Sequence, residues 1–149
     1  MENIKDKYYK YKLKYLNLKN SGLIKNNMTG GALHTMNLSE PWFSLVNDGT
    51  KTIEGRIYDD KRRTIQIGDT ITFTNNGNSF SKVVVNLAIW DNTNKKTGKV
   101  GWKNVIDWTN YKKLIPTAEN DKEAIKVYED IPGYKEKAKE FGIIFIYLG

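Results

Sequence analysis

Apolar and polar positions alternate with a period of two in several stretches of this chain, and turn signals separate those stretches. Leu33 to Leu38 reads as a short strand, and Lys51 to Tyr58 as a second. Thr70-Ile71-Thr72-Phe73-Thr74 alternates strictly, which puts its apolar side chains on one face of a strand. Asn75-Asn76-Gly77-Asn78 is a turn signal, and Phe80 to Trp90 continues as a long β-rich run. Ile143 to Tyr147 is an unbroken apolar segment suited to a strand that closes the sheet. Helical spacing appears elsewhere. Trp42, Leu45 and Val46 predict a helix over Pro41–Val46, with Ser39 as N-cap and Glu40 and Pro41 in the first turn. Asn47-Asp48-Gly49 supplies the stop, Gly49 being free to turn left-handed. Further helices are expected around Trp102–Trp108, Glu119–Glu129 and Tyr134–Glu140. Several strands with short helices around an antiparallel core define an α+β class.

The first 31 residues differ in character. Ile4, Tyr8, Tyr11, Tyr15 and Leu18 recur at steps of four and three with lysines between them, a short basic amphipathic helix ending near Ser21-Gly22. So short a helix is marginal alone and either docks or frays. It could meet an anionic surface, nucleic acid or a protein partner. Asn26 to Gly31 has the composition of a linker. Two units follow: a basic extension over 1–31 and a domain over 32–149.

Charge modifies this picture. Residues 1–27 carry seven lysines against Glu2 and Asp6, a balance of +5 within the chain's +7. The domain keeps only the remaining +2, so a nucleic-acid site there must rest on a local patch. With no cysteine and one histidine, His34 (expected at a surface or edge), the sequence excludes disulfides, thiolate nucleophiles and Cys-based or His-rich metal sites. No cofactor or metal is expected, and catalysis would fall to Lys, Glu, Asp, Tyr, Ser or Thr. The longest apolar run, Ile143 to Leu148, is far short of the ~20 residues a spanning helix needs. The amino terminus lacks the apolar core of a secretory signal, so an intracellular protein is expected.

Chemistry concentrates in Lys51-Thr52-Ile53-Glu54-Gly55-Arg56, an amine, a carboxylate and a guanidinium just beyond the first helix. On a regular strand Glu54 and Arg56 share a face, while Lys51 has the parity of Ile53. Lys51 joins the other two only if the backbone departs from a regular strand. The alternative is a solvated face with a surface ion pair worth ~0–1 kcal/mol. Lys61-Arg62-Arg63 follows closely, either as a solvated loop or as a patch for phosphates. Trp102, Val105, Ile106 and Tyr111 read as packing residues. Ile125, Tyr128 and Ile131 fit a helix face packed on the sheet, and Tyr128 could instead aim its hydroxyl into a cleft.

Leu38-Ser39-Glu40-Pro41-Trp42 followed by Gly49-Thr50-Lys51-Thr52-Ile53-Glu54-Gly55-Arg56 resembles the signature of the activating signal cointegrator homology (ASCH) domain, a branch of the PUA-like superfamily. Gly68-Asp69, Ile131-Pro132-Gly133-Tyr134 and Phe141-Gly142-Ile143-Ile144 are also similar to that family. The resemblance covers about Leu33 to Gly149. It implies a PUA-like mixed β-barrel with flanking helices, in which the first helix and the Gly-x-Lys-x-x-Glu-x-Arg strand border a cleft. It further implies RNA or nucleotide binding, with Lys51, Arg56, Lys61, Arg62 and Arg63 meeting phosphates and Trp42 or a tyrosine such as Tyr128 stacking a base.

Some members of the family are amidohydrolases that deacetylate N4-acetylcytidine, and some are reported ribonucleases. An enzyme of this kind would use Lys51, Glu54 and Arg56 as its catalytic set. In the deacetylating subgroup a threonine nucleophile follows the lysine by three positions, where this chain has Glu54. A protein-interaction adaptor is a third expectation. The Lys/Tyr/Leu-rich opening also resembles the amino-terminal extensions of giant DNA virus proteins, and Met28-Thr29-Gly30-Gly31-Ala32 matches a pattern cleaved by adenovirus-type proteases. Gly30, Gly31 and Ala32 are therefore an expected processing site.

Overall fold

A computed structural model describes residues 31–93 and 100–149. The expected amino-terminal helix, Gly30 and residues 94–99 lie outside the described residues. The elements are β1 Leu33–Asn37, α1 Trp42–Asn47, β2 Ile53–Ile57, β3 Thr70–Asn75, β4 Asn78–Asp91, α2 Trp102–Val105, α3 Tyr111–Leu114, α4 Asp121–Glu129, α5 Tyr134–Phe141 and β5 Gly142–Leu148. A single 3-10 turn, Arg62–Thr64, lies between β2 and β3.

The strands form one five-stranded mixed sheet in the order β1-β3-β4-β5-β2. β1 runs parallel to β3, and the other pairs are antiparallel. β4 is long enough to serve twice. Its first part pairs with β3, Asn78 opposite Asn75, and its second with β5, Asp91 opposite Gly142. The register slips between Val84 and Asn86, and an irregularity of that kind bends a strand and increases its twist. The sheet thereby curls until its two ends meet: the Arg56 guanidinium on β2 donates from Nη2 to the Asn37 carbonyl oxygen of β1 at 2.8 Å.

β5 shows why its sequence is an unbroken apolar run. Ile144, Ile146 and Leu148 enter an inner cluster with Ile71, Phe73, Val84 and Val46. Ile143 and Phe145 face the opposite way, toward Trp102, Leu114, Ala124, Tyr128 and Ala138 of the helices. A strand covered on both faces has no polar parity to keep. Each fully buried residue such as Phe73 contributes about 1.5–3 kcal/mol. Gly142 makes the passage from α5 into β5 possible. Its φ is +97°, and a Cβ there would lie 1.9 Å from the carbonyl oxygen of Trp90.

Two local expectations need correction. Ser39 does not cap α1 through its side chain. Glu40 instead accepts the backbone N–H of Ser44 at 2.7 Å, and Ser39 contributes its carbonyl to Phe43 N–H. The helix expected over Trp102–Trp108 stops at Val105, because Asn110 takes the Val105 carbonyl and the Asp107 N–H with its own side chain while Asp107 accepts from Thr109. Such local side-chain bonds compete with helix continuation. Trp108 is consequently 81% exposed. The four-residue helix α3 that follows is too short to carry a periodic signal. His34 is half-buried, with Nε2 2.7 Å from Asp69 Oδ2. That carboxylate also accepts from the Ala32 and Gln66 N–H groups, which ties β1 to the Gly68-Asp69 turn.

Candidate functional site

The turn after α1 sets the position of Lys51. Gly49 adopts φ +84° and donates to the Val46 carbonyl at 3.2 Å, as its placement after Asn47-Asp48 predicts. Asp48 accepts from the Thr50 N–H, and the Lys51 N–H returns to the Leu45 carbonyl at 2.9 Å. β2 begins only at Ile53, so Lys51 lies in the connection and is free of strand parity. Its side chain folds inward to 2% exposure.

All three ammonium protons of Lys51 have acceptors. Nζ donates to the Ile53 carbonyl at 2.6 Å, to the Leu114 carbonyl at the end of α3, and at 3.4 Å to the Tyr128 hydroxyl. Burial pulls its pKa down to about 8, Glu54 acting against that shift and Arg56 with it. The lysine thus joins three segments distant in sequence: the strand entry, the α3 terminus and α4.

Glu54 and Arg56 share the other face of β2. Glu54 is 4% exposed, with Oε1 3.8 Å from Lys51 Nζ and Oε2 3.5 Å from Arg56 Nη2. Both distances exceed those of a good charge-assisted hydrogen bond, ~2.7–2.9 Å. Burial is the largest single influence on Arg56 and opposes its charge, but Glu54 together with Tyr134 and Tyr128 more than offsets it and holds the guanidinium above its ordinary range. Tyr128 projects from α4 with its ring stacked on Trp102, centroids 4.4 Å apart, and burial raises its phenol well above the ordinary range. Its oxygen accepts the Gly55 N–H at 3.2 Å. Tyr128 is thus a packed ring whose buried hydroxyl turns to Lys51 and Gly55.

These groups line a cleft of about 450 Å³ between α1, β2 and the segment from α4 to α5. Trp42, half-buried, lies on one side with Lys51 Nζ 5.9 Å from its ring. Ile131, Pro132 and Tyr134 complete the rim, with Asn37, Leu38 and Ser39 on the β1 side. Among the expected residues, Trp42, Lys51, Glu54, Arg56 and Tyr128 come together here. Lys61, Arg62 and Arg63 do not line the cleft. Arg62 pairs with Asp59 at 2.8 Å, and Arg63 holds both oxygens of Asp91 at 2.9 and 3.0 Å while stacking over Tyr58. Lys61 is exposed at the start of the 3-10 turn. Of the expected processing site, Gly31 and Ala32 lie against the Gly68-Asp69 turn, with Ala32 N–H donating to Asp69. Sequence reasoning missed Tyr134 and the Leu114 and Asn37 carbonyls. Tyr134 belongs to the Ile-Pro-Gly-Tyr stretch singled out by resemblance, whereas backbone carbonyls leave no trace in side-chain identity.

A mixed barrel of this order, with a lysine-glutamate-arginine cleft between its first helix and its edge strand, has the PUA-like architecture. The sequence matches the ASCH domain family over residues 36–147, and the chain belongs to that family. It is similar to the crystal structure of a hypothetical protein, PH0355, at 28% identity and a TM-score of 0.60, covering 78% of this chain and 96% of that one. It is also similar to the solution NMR structure of protein PF0455 from Pyrococcus furiosus, at 28% identity and a TM-score of 0.54, covering 78% of this chain and 94% of that one. No curated protein matches it. Among the described residues no helix is long and apolar enough to cross a membrane, and no three or more His, Cys, Asp or Glu side chains group so as to hold a metal ion.

Proposed function

We propose that the cleft binds a nucleobase, presented by single-stranded RNA or by a nucleotide. The observation that carries this reading is the Glu54–Arg56 pair, nearly buried yet lining a cleft of about 450 Å³ together with Trp42 and Tyr134. That volume lies within the ~300–1,000 Å³ of small-ligand sites. An unstacked base is recognised by an aromatic face and by polar groups at its hydrogen-bonding edge, and both are present. Lys51 organises the cleft wall, since its protons are committed to carbonyl oxygens and a hydroxyl.

The test is equilibrium binding of a short mixed-sequence single-stranded RNA to the full chain, with duplex RNA as control. Trp42→Ala and Arg56→Ala should each weaken single-strand binding about 10-fold. An RNA that fails to bind, or binds both variants like the parent, would sink this reading.

Amide hydrolysis of an N4-acylated cytosine is the second reading. One observation favours it: burial brings Lys51 to about 8, within range of a general base. Against it, Lys51 has no free proton-accepting position while it donates to Ile53, Leu114 and Tyr128. Glu54 also stands where the nucleophilic threonine is expected. Chromatographic turnover of N4-acetylcytidine, abolished by Lys51→Ala, would place hydrolysis ahead of binding.

A further inference from the structure

Taking the cleft as a nucleobase site, as proposed above, we infer that it selects guanine, with Glu54 accepting from the base's N1–H and 2-amino group and Arg56 donating to O6. The carboxylate is 4% exposed and has cations on both sides, but neither cation closes on it. Lys51 Nζ is drawn 2.6 Å from the Ile53 carbonyl and lies 3.8 Å from Oε1. Arg56 Nη2 is drawn 2.8 Å from the Asn37 carbonyl and lies 3.5 Å from Oε2. A carboxylate offers about four acceptor positions and no donor. Here its charge is balanced in place, Oε2 takes one long bond from Arg56, and most of the carboxylate's acceptor capacity is left for a ligand in the cleft it lines.

The order of groups along the wall decides which base fits. Arg56 adjoins Oε2, and Oε1 lies on the Lys51 side, so the wall reads donor, acceptor, acceptor. Guanine alone among the four bases presents acceptor, donor, donor along its Watson–Crick edge: O6, N1–H and the 2-amino group. Uracil sets an oxygen against one carboxylate oxygen, and cytosine and adenine each set a ring nitrogen lone pair against the carboxylate. A site with buried polar groups rejects a ligand that leaves them unpaired more strongly than an apolar pocket rejects a misfit. Trp42 and Tyr134 offer aromatic surface to any base and carry affinity without selecting among them.

The experiment is titration of the full chain with GMP, IMP, UMP, CMP and AMP. A parallel arm uses a short single-stranded RNA with one guanine and the same RNA with inosine in its place. GMP should bind about 10–100-fold tighter than UMP, CMP and AMP. IMP, which lacks only the 2-amino group, should fall between GMP and the rest. Glu54→Gln replaces one acceptor by a donor and should lower GMP affinity more than that of any other base, removing most of the guanine preference. If Glu54→Gln fails to give the parent's circular dichroism and cooperative melt, the GMP–IMP comparison on the parent protein decides alone. Guanine dependence seen only in the RNA arm supports the inference with a polymer as source, and equal affinity for GMP and the guanine RNA supports it with a free nucleotide. Binding with equal affinity for all bases, or tightest for another base, overturns guanine selection and leaves the nucleobase reading standing. Equal loss for every base in Glu54→Gln overturns it as well, since Glu54 would then act only on the cleft's shape. Absence of binding to every nucleotide and RNA overturns the nucleobase reading itself.

Discussion

The phenol oxygen of Tyr128 accepts the backbone N–H of Gly55 at 3.2 Å, and a Cβ at position 55 would lie 2.9 Å from that same oxygen. β2 is at the end of the sheet order, so this outward-pointing N–H has no strand to pair with. The tyrosine supplies the acceptor, and only glycine lets it come so close. The same oxygen receives Lys51 Nζ, so the edge of the sheet and the wall of the cleft are held by one atom.

Gly55→Ala should destabilise the domain by about 1–3 kcal/mol, the usual range for overfilling a packed site. The ring beneath is stacked on Trp102 and cannot withdraw freely. Tyr128→Phe keeps the ring and leaves a buried N–H unpaired, at a cost of about 1–3 kcal/mol. Urea unfolding of the two variants measures both, and a change below about 0.5 kcal/mol in either would contradict the contact.

Lys51 predicts a pH dependence with a definite sign. Burial lowers its folded pKa from the ordinary 10.5 to about 8. Between those values the unfolded chain holds a proton that the folded chain has released, so this group makes stability rise with pH across the window. Below about pH 8 both states are protonated and its contribution is flat. The difference in unfolding free energy between the parent and Lys51→Met should therefore grow in the parent's favour from pH 8 to 10.5, and a pH-independent difference would refute the assignment.

Arg63 and Asp91 make the best-formed ion pair outside the cleft, two parallel bonds at 2.9 and 3.0 Å. Its hydrogen bonds hold the Asp91 carboxyl well below its ordinary 3.8, so the pair's contribution is full above that pH and is lost as pH falls below it. Both side chains are partly exposed, and a double-mutant cycle should return a coupling of about 0–1 kcal/mol. Arg62→Ala with Arg63→Ala should leave nucleotide affinity in the cleft within about two-fold, because charges that do not line the cleft act on its ligand chiefly through screened, long-range attraction. A loss of 10-fold or more would bring the Lys61–Arg63 patch back as a phosphate site.

Gly142→Ala meets two obstacles at once, a φ of +97° and a Cβ 1.9 Å from the Trp90 carbonyl oxygen. Misplacing this residue shifts the start of β5 against β4, so the variant should lose about 3 kcal/mol or more, from strain and overpacking together. A melting temperature within a few degrees of the parent would show that the α5–β5 junction has room to relax.

Much of the fold was legible in the chain. The alternation of Thr70 to Thr74, the Asn-Asn-Gly-Asn turn and the apolar run at Ile143 to Tyr147 each mark strands that the structure contains. Those signals come from local periodicity and turn chemistry, which act within a few residues and so are written in sequence. The Lys51, Glu54, Arg56 grouping was legible as a spacing, together with the stop at Gly49 that precedes it. Sequence could not decide whether Lys51 joins its neighbours, because strand parity forbids it and only the late start of β2, at Ile53, lifts the prohibition. Nor could sequence separate the basic residues that line the cleft from those that do not. Arg63 and Asp91 stand 28 positions apart, and Lys51 and Leu114 stand 63 apart. Tertiary structure decided those pairings, because a cation is taken by whichever carboxylate or carbonyl packing brings nearest, and for a buried amine that choice is enforced by the cost of leaving it unpaired.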